Sequence, residues 1–247
     1  MGMDLGIAGK VALVTGGSRG LGRGAADALA AEGVKLVLAA RAEGGLAEAA
    51  AALTEAGVEV AIMVVDVTEP EAPQRLVDLA VERFGSLDIV VANAGGPPPG
   101  RALDLDDAAI IAALNANLLT SVRLVRSAVP VMAEHGWGRI CCITSYSVVQ
   151  PIPTLALSNT ARVGLWAWAK TAANDLAAEG TGITLNLACP GLHATERMRD
   201  LGGDGLSGPM VGDPADFGKV VAFLCSDPAR FVNGAAVVVD GGATLAL

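Results

Sequence analysis

Aromatic residues are scarce in this 247-residue sequence, only 3% of positions, and tyrosine occurs once. The interior therefore has to be assembled from Ala, Val, Leu and Gly, a composition suited to close packing of helices on a sheet. Charge is also sparse at 17%, with a net charge of −9 and no basic tract, which argues against nucleic acid and anionic membranes as partners. The four cysteines, Cys141, Cys142, Cys189 and Cys225, form no CxxC, and the two histidines lie far apart. A disulfide framework and a metal site are thus not expected; buried thiols in a reducing compartment are.

No basic segment followed by an apolar run opens the sequence, so no signal peptide is expected and the cytoplasm is the expected location. Positions 140–161 lack charge and are long enough for a membrane span. They contain Gln150, Pro151, Pro153, Asn159 and several hydroxyls, which suits a strand, a loop and a helix start better than lipid.

What is present is alternation. Apolar runs at 11–15, 36–40, 60–65, 89–92, 140–144, 185–188 and 236–239 lack strict two-residue periodicity, as strands covered on both faces do. Between them lie helical stretches at 21–32, 45–56, 72–84, 105–135, 155–179 and 214–225. The expectation is one α/β domain over residues 1–247: a Rossmann fold with a doubly wound, parallel, seven-stranded sheet and helices on both faces. Only 197–212 is irregular, a mobile flap or a plain surface loop.

The first strand runs into Thr15-Gly16-Gly17-Ser18-Arg19-Gly20-Leu21-Gly22, and a helix follows. Such a turn brings backbone against a diphosphate, and the helix start offers it unpaired N–H groups. The spacing Gly-x-x-x-Gly-x-Gly departs from Gly-x-Gly-x-x-Gly, but its place between strand and helix favours a dinucleotide site over an ordinary turn. An NAD site usually places an acid at the end of the second strand. Here the strand ends Ala39-Ala40-Arg41, with no carboxylate between Glu32 and Glu43. Arg41 and Arg19 can clamp a 2′-phosphate, so NADP(H) is the expected cofactor, NADPH over NADH.

The 15–22 loop, Asn93-Ala94-Gly95, Pro190-Gly191 and Asp240-Gly241-Gly242 resemble, in order and spacing, the short-chain dehydrogenase/reductase family from about residue 11 to 242. The particular likeness is to its 3-oxoacyl-acyl-carrier-protein reductase branch. That resemblance implies that Gly16, Ser18, Gly20, Leu21 and Gly22 hold the diphosphate and that Asp66 and Val67 meet the adenine. It further implies that Asn93, Ala94 and Gly95 line the cofactor, and that Pro190, Gly191 and Thr195 hold the nicotinamide end. The bland alternatives are that Asn93-Ala94-Gly95 shapes a turn and that Asp66 caps the next helix.

The family is known for an Asn, a Ser and a Tyr-x-x-x-Lys pair in catalysis. Asn117 matches the first and Ser145 the second. Where the pair belongs, thirteen residues after Ser145, stands Ser158-Asn159-Thr160-Ala161-Arg162, followed by Val163-Gly164; Lys170 lies too far along. A serine hydroxyl is a far weaker acid than a phenol, and an arginine stays charged, able to stabilise an oxyanion or bond a ribose but not to shuttle a proton. Tyr146, the single tyrosine, is a stand-in acid only if a bulge turns it inward. His193 is a second candidate. The stretch 93–100, Asn-Ala-Gly-Gly-Pro-Pro-Pro-Gly, resembles a divergent subgroup with degenerate catalytic positions, its prolines stiffening a loop beside the substrate mouth.

Three readings follow: an NADP-dependent oxidoreductase of a small carbonyl or alcohol using Ser145, Ser158 and Arg162; a dinucleotide-binding sensor or scaffold; or a non-redox, oxyanion-stabilised reaction. The first is favoured by the glycine loop, Asn117 and Ser145. The helices at 105–135 and 155–179 are apolar nearly all round, and a homodimer or homotetramer through them is expected.

Overall fold

The computed structural model describes residues 3–200 and 211–245, without the side chains of residues 199 and 200. Seven parallel strands form one sheet: β1 Val11–Thr15, β2 Lys35–Ala40, β3 Val60–Val64, β4 Ile89–Ala92, β5 Gly138–Ile143, β6 Ile183–Pro190 and β7 Ala236–Val239. Their order is β3-β2-β1-β4-β5-β6-β7. The order reverses between β1 and β4, and the crevice beyond the carboxyl ends of that pair is where such sheets take ligands.

Strand alternation explains the layers. Val11 and Leu13 of β1 point into one apolar cluster, with Val37, Ile140 and Cys142. Ala12 and Val14 point into the other, with Leu36, Leu38 and Cys141. Helices α3 (Ala72–Phe84), α5 (Thr120–Glu134) and α6 (Ala156–Ala178) cover the first face. Helices α1 (Gly20–Ala31), α2 (Glu43–Glu55) and α8 (Pro214–Leu224) cover the second. All four thiols are free and buried in this structure.

Small residues allow the close approach that scarce aromatics demand. A Cβ on Gly218 of α8 would collide with the carbonyl of Gly24 in α1, and one on Gly24 would collide with the carbonyl of Pro214. The two helices meet backbone to backbone.

The region 105–135 departs from the single helix expected. A 3-10 turn occupies Ala102–Asp104, and α4 (Asp107–Leu114) starts only after Asp106, whose carboxylate accepts the Ala109 N–H at 2.8 Å. A π-helical turn, Asn115–Leu119, then leads into α5. The apolar periodicity continues through that extra residue per turn, so periodicity alone conceals it. The 107–134 stretch is apolar and long enough to cross a membrane by composition, yet Val122, Leu124, Val125, Ala128 and Met132 are buried in the sheet-covering core. Positions 140–161 form β5, a loop and the start of α6, as expected.

The segment 197–212 was expected to be irregular, but its first residues belong to a short helix, α7 (Glu196–Asp200); residues 201–210 lie outside the described residues. The two sides of that segment are joined by a bridge between His193 and Gly212, with the Ala194 N–H donating to the Gly212 carbonyl at 2.9 Å.

Gly218→Ala is expected to lower stability by about 1–3 kcal/mol, as overpacking of a filled interface does. Thermal unfolding would show it, and an unchanged melting temperature would mean that α1 and α8 separate without cost.

Candidate active site

The carboxyl ends of β1 and β4 are clasped by side chain and backbone together. The Thr15 hydroxyl donates to the Asn93 carbonyl and accepts the Asn93 N–H, both at 2.9 Å. The Asn93 amide also donates to the Gly16 carbonyl at 3.4 Å. Asn93 therefore shapes the turn, the bland alternative seen in its sequence, while it lines the crevice mouth.

Over this clasp lies the glycine loop. Gly16 and Gly20 have φ of 61° and 57°, and a Cβ on Gly22 would strike the Gly16 carbonyl. Helix α1 begins with no side chain capping its first turn, so the amides of Gly20, Leu21 and Gly22 face the crevice with the positive end of the helix dipole. A loop that fits only without side chains, opening onto uncapped amides, suits a diphosphate. Ser18 flanks it, and the Thr195 side chain packs against Gly20. Across the crevice, Gly191 lies on Asp240 and donates its N–H to the Val239 carbonyl at 2.9 Å, which brings Pro190-Gly191 beside Asp240-Gly241-Gly242.

Arg41 is exposed just beyond β2. Asp66 accepts the Thr68 N–H and hydroxyl at 2.9 and 2.8 Å. These bonds, helped by the Arg41 charge, hold its carboxyl below the ordinary carboxylate range. Val67 and Ala94 line a small cleft with Thr15 and Asn93. Gly95 has open space where a Cβ would stand. Arg19, expected at the same phosphate as Arg41, instead pairs in this structure with Glu196 of α7 at 2.8 Å, both side chains largely exposed. The partner lies 177 positions away, and nothing local in the sequence points to it.

The catalytic candidates divide into two groups. Arg162 and Ser158, one turn apart on α6, are joined: Arg162 Nε donates to Ser158 Oγ at 3.1 Å, and Nη1 to the Ile143 carbonyl at 3.4 Å. The guanidinium is thus drawn to the end of β5, and burial pushes its pKa down to about 10, the Arg197 charge adding to the effect. Ser145 lies two residues beyond that carbonyl, its Oγ accepting the Ser147 N–H at 3.1 Å as the cap of a short 3-10 turn. Asn117 stands apart. It is buried in the π turn, its side-chain amide donates to the Ala113 carbonyl at 3.4 Å, and no hydrogen bond joins it to Ser145, Ser158 or Arg162.

The two candidate stand-in acids lie in settings the sequence did not suggest. Tyr146 opens the Tyr146–Val148 3-10 turn, half-buried, without the bulge that would turn a strand residue inward. His193 is buried rather than exposed, its ring against the Gly191 carbonyl at 3.2 Å and edge-on to Phe217 at 5.2 Å. It packs under the loop. Lys170 reaches Gly234, before the start of β7 and at the opposite end of the sheet.

Sequence reasoning missed Glu196 and Arg197. Arg197 Nη2 donates to the Pro97 carbonyl at 3.2 Å, joining α7 to the proline loop after β4. The same loop is held to α6: the Gly100 N–H donates to the Thr154 carbonyl at 2.6 Å, and Thr154 adopts a left-handed φ of 63°.

A family model described as enoyl-(acyl carrier protein) reductase matches residues 16–244. Human dehydrogenase/reductase SDR family member 4 is 32% identical over 96% of this chain and 88% of its own length. An uncharacterized oxidoreductase of Mycobacterium tuberculosis is 33% identical over 95% and 92%. Among solved structures, L-sorbose reductase from Gluconobacter frateurii, complexed with NADPH and L-sorbose, superposes with a TM-score of 0.91 at 32% identity, covering 99% of this chain and all of that one.

Arg162→Met is expected to keep or raise the melting temperature, because a desolvated cation is replaced by an apolar chain of similar reach. A loss of more than about 5 °C would show that the bonds to Ser158 and Ile143 hold the fold. A glycine loop over an uncapped helix, a sheet reversing beneath it, and full-length likeness to curated relatives converge: this chain belongs to the short-chain dehydrogenase/reductase family of oxidoreductases.

Proposed function

We propose that the protein is an NADP(H)-dependent reductase of small carbonyl compounds, 3-oxoacyl-reductase-like in ancestry, whose Tyr-x-x-x-Lys pair has become Ser158 and Arg162. The observation that carries this reading is the 3.1 Å bond from Arg162 Nε to Ser158 Oγ, at the sheet end that also holds the dinucleotide cradle.

The cradle supports the following cofactor contacts. Amides of the 16–22 loop hold the diphosphate, Arg41 with Arg19 the 2′-phosphate, Asp66 and Val67 the adenine, Asn93 to Gly95 the ribose side, and Pro190, Gly191 and Thr195 the carboxamide. When bound, the reduced nicotinamide supplies the hydride. The chain's own residues then manage charge and proton. Ser158 Oγ accepts from Arg162, so its own O–H is left to donate to the substrate oxygen. Ser145 is a second donor, and the cation stabilises negative charge as it develops. Water reprotonates Ser158. Because a hydroxyl bonded to a guanidinium is still a weaker acid than a phenol, turnover is expected to be slow for the family.

A dinucleotide sensor without turnover is the second reading. It is favoured by the lack, among the described residues, of an acid placed to protonate an alkoxide near neutral pH. NADPH oxidation across ketones and aldehydes separates the two. We expect turnover that falls about 10–100-fold in Ser158→Ala and persists in Tyr146→Phe. Loss in the tyrosine variant would return the proton to the phenol, and tight NADPH binding with no turnover would establish the sensor. Calorimetry should show Arg41→Ala weakening NADPH about tenfold while sparing NADH; equal weakening of both would remove the 2′-phosphate assignment.

We also propose a homodimer or homotetramer through the 107–134 helix and α6. Ile111 is 66% exposed, and Leu119 and Val163 share that apolar exposure. Light scattering at micromolar concentration should report two or four chains; a sharp monomer peak would sink the assembly.

A further inference from the structure

Two guanidinium groups converge over one glycine. At the point where a Cβ on Gly96 would stand, Arg197 Nη2 is 3.1 Å away and Arg162 Nη2 is 3.5 Å away. They arrive from different elements, Arg197 from α7 and Arg162 from α6, and Gly96 leaves the space between them empty. Like charges brought together repel, and here one is withdrawn from water, so the arrangement is unfavourable unless something negative joins it. Among the described residues, neither forms an ion pair. Glu196, the carboxylate next to Arg197 in the chain, is turned toward Arg19 at 2.8 Å.

The one arginine that is buried outright among the described residues supplies the contrast. Arg139, at the opposite end of β5, donates to the carbonyls of Ser226, Gly138 and Gly182, stacks on Trp137 and has Asp227 at 3.5 Å. Its charge is spoken for. Arg162 uses Nε and Nη1 on Ser158 and Ile143, while Nη2, facing Arg197, makes no hydrogen bond among the described residues.

We propose that Arg197 and Arg162 form a carboxylate subsite, and that the substrate is a small 2- or 3-oxo acid. The spacing follows from one planar group. Arg162 presents Nε to the hydroxyl that would bond the reacting carbonyl, and Nη2 to the anion. A single guanidinium edge spans both, so one or two bonds separate the carbonyl carbon from the carboxylate carbon. Arg197 closes on the anion's other side, where a fork of N–H donors matches carboxylate geometry. The uncharged sugar named with the structural neighbour would not use such a pair.

This inference rests on the carbonyl-reductase reading, and the test separates them. The first arm compares a series of 2- and 3-oxo acids with their methyl esters, in wild type, Arg197→Met and Arg197→Lys. We expect the acids to be preferred by about 30-fold or more in kcat/KM. In Arg197→Met that ratio should collapse toward one through a higher KM, with Arg197→Lys recovering part of it. A preference that also weakens in rising salt would fit the exposed position of Arg197.

The second arm needs no turnover: calorimetry of oxamate, an unreactive 2-oxo acid analogue, against neutral oxamide, each added to the protein with NADP bound. Oxamate should bind, oxamide should not, and Arg197→Met should abolish the difference. Equal handling of acids and esters, or oxamate binding indifferent to Arg197, would overturn the subsite and leave the reductase reading intact. Acetylphosphonate binding more tightly than oxamate would overturn the choice of carboxylate. Oxamate binding at Arg197 without any carbonyl reduced would uphold the subsite and end the reductase reading.

Discussion

A guanidinium half-withdrawn from water at the end of a parallel sheet sets the character of the site built around it. Arg162 sits where an ammonium would be cheaper to neutralise, because lysine can release its proton when buried and arginine does not. Its charge has to be answered by dipoles and hydroxyls in place: the Ile143 carbonyl at the last residue of β5 and Ser158 one turn back along α6. The first of these contacts ties α6 to the end of β5. They also mean that Ser158 is never a bare hydroxyl, since it always accepts a bond from a cation. In the proposed reaction the pair would give up proton-shuttling acidity and keep a positive field where a carbonyl oxygen would gain charge.

Around that fixed point, backbone approaches backbone wherever function requires it. The carboxyl ends of β1 and β4 are clasped by reciprocal bonds of Thr15 and Asn93, so the glycine loop rests on a closed floor. Beneath it, α1 is pressed against α8 through Gly24 and Gly218, which fixes the direction in which its uncapped amides point. A larger residue at any of these contacts would tilt the helix and misdirect its dipole. The shortage of aromatic residues is therefore of one piece with the site: small side chains bring the elements close enough for amides to act as ligands.

Much of this was legible in the sequence. Apolar runs without two-residue alternation marked strands buried on both faces, and all seven are present, with β6 extending further in both directions than its apolar run of 185–188 suggested. The glycine loop was recognisable from its place between a strand and a helix, where the structure puts it. Other features were hidden for physical reasons. The π turn carrying Asn117 does not disturb an apolar helical pattern, so 105–135 read as one helix. The burial of His193 depends on Phe217 and Gly212 of a different element, and a loop position gives no sign of it. Arg197 meets Pro97 across 100 positions, and Arg19 meets Glu196 across 177. Neither pairing leaves a local trace, because a charged residue on a surface segment looks the same whether it faces solvent or a site.

The unforeseen contacts share one element. Helix α7 is held to the glycine loop by Arg19–Glu196 and to the proline loop by Arg197 on the Pro97 carbonyl. The first is a pair of largely exposed side chains, a class worth about 0–1 kcal/mol, and the second is a hydrogen bond from an exposed residue, so little free energy keeps α7 in place. The Arg19 side chain cannot give its whole fork to Glu196 and to a 2′-phosphate, and a dianion competes strongly with a single carboxylate for a guanidinium. On the opposite side, an anion between Arg197 and Arg162 would relieve a repulsion that the Pro97 carbonyl, uncharged, does not. Both proposed ligand ends would therefore act on neighbouring residues of one weakly held turn. A turn held by two exposed contacts is thus also the place where both charges of the reaction's partners would arrive.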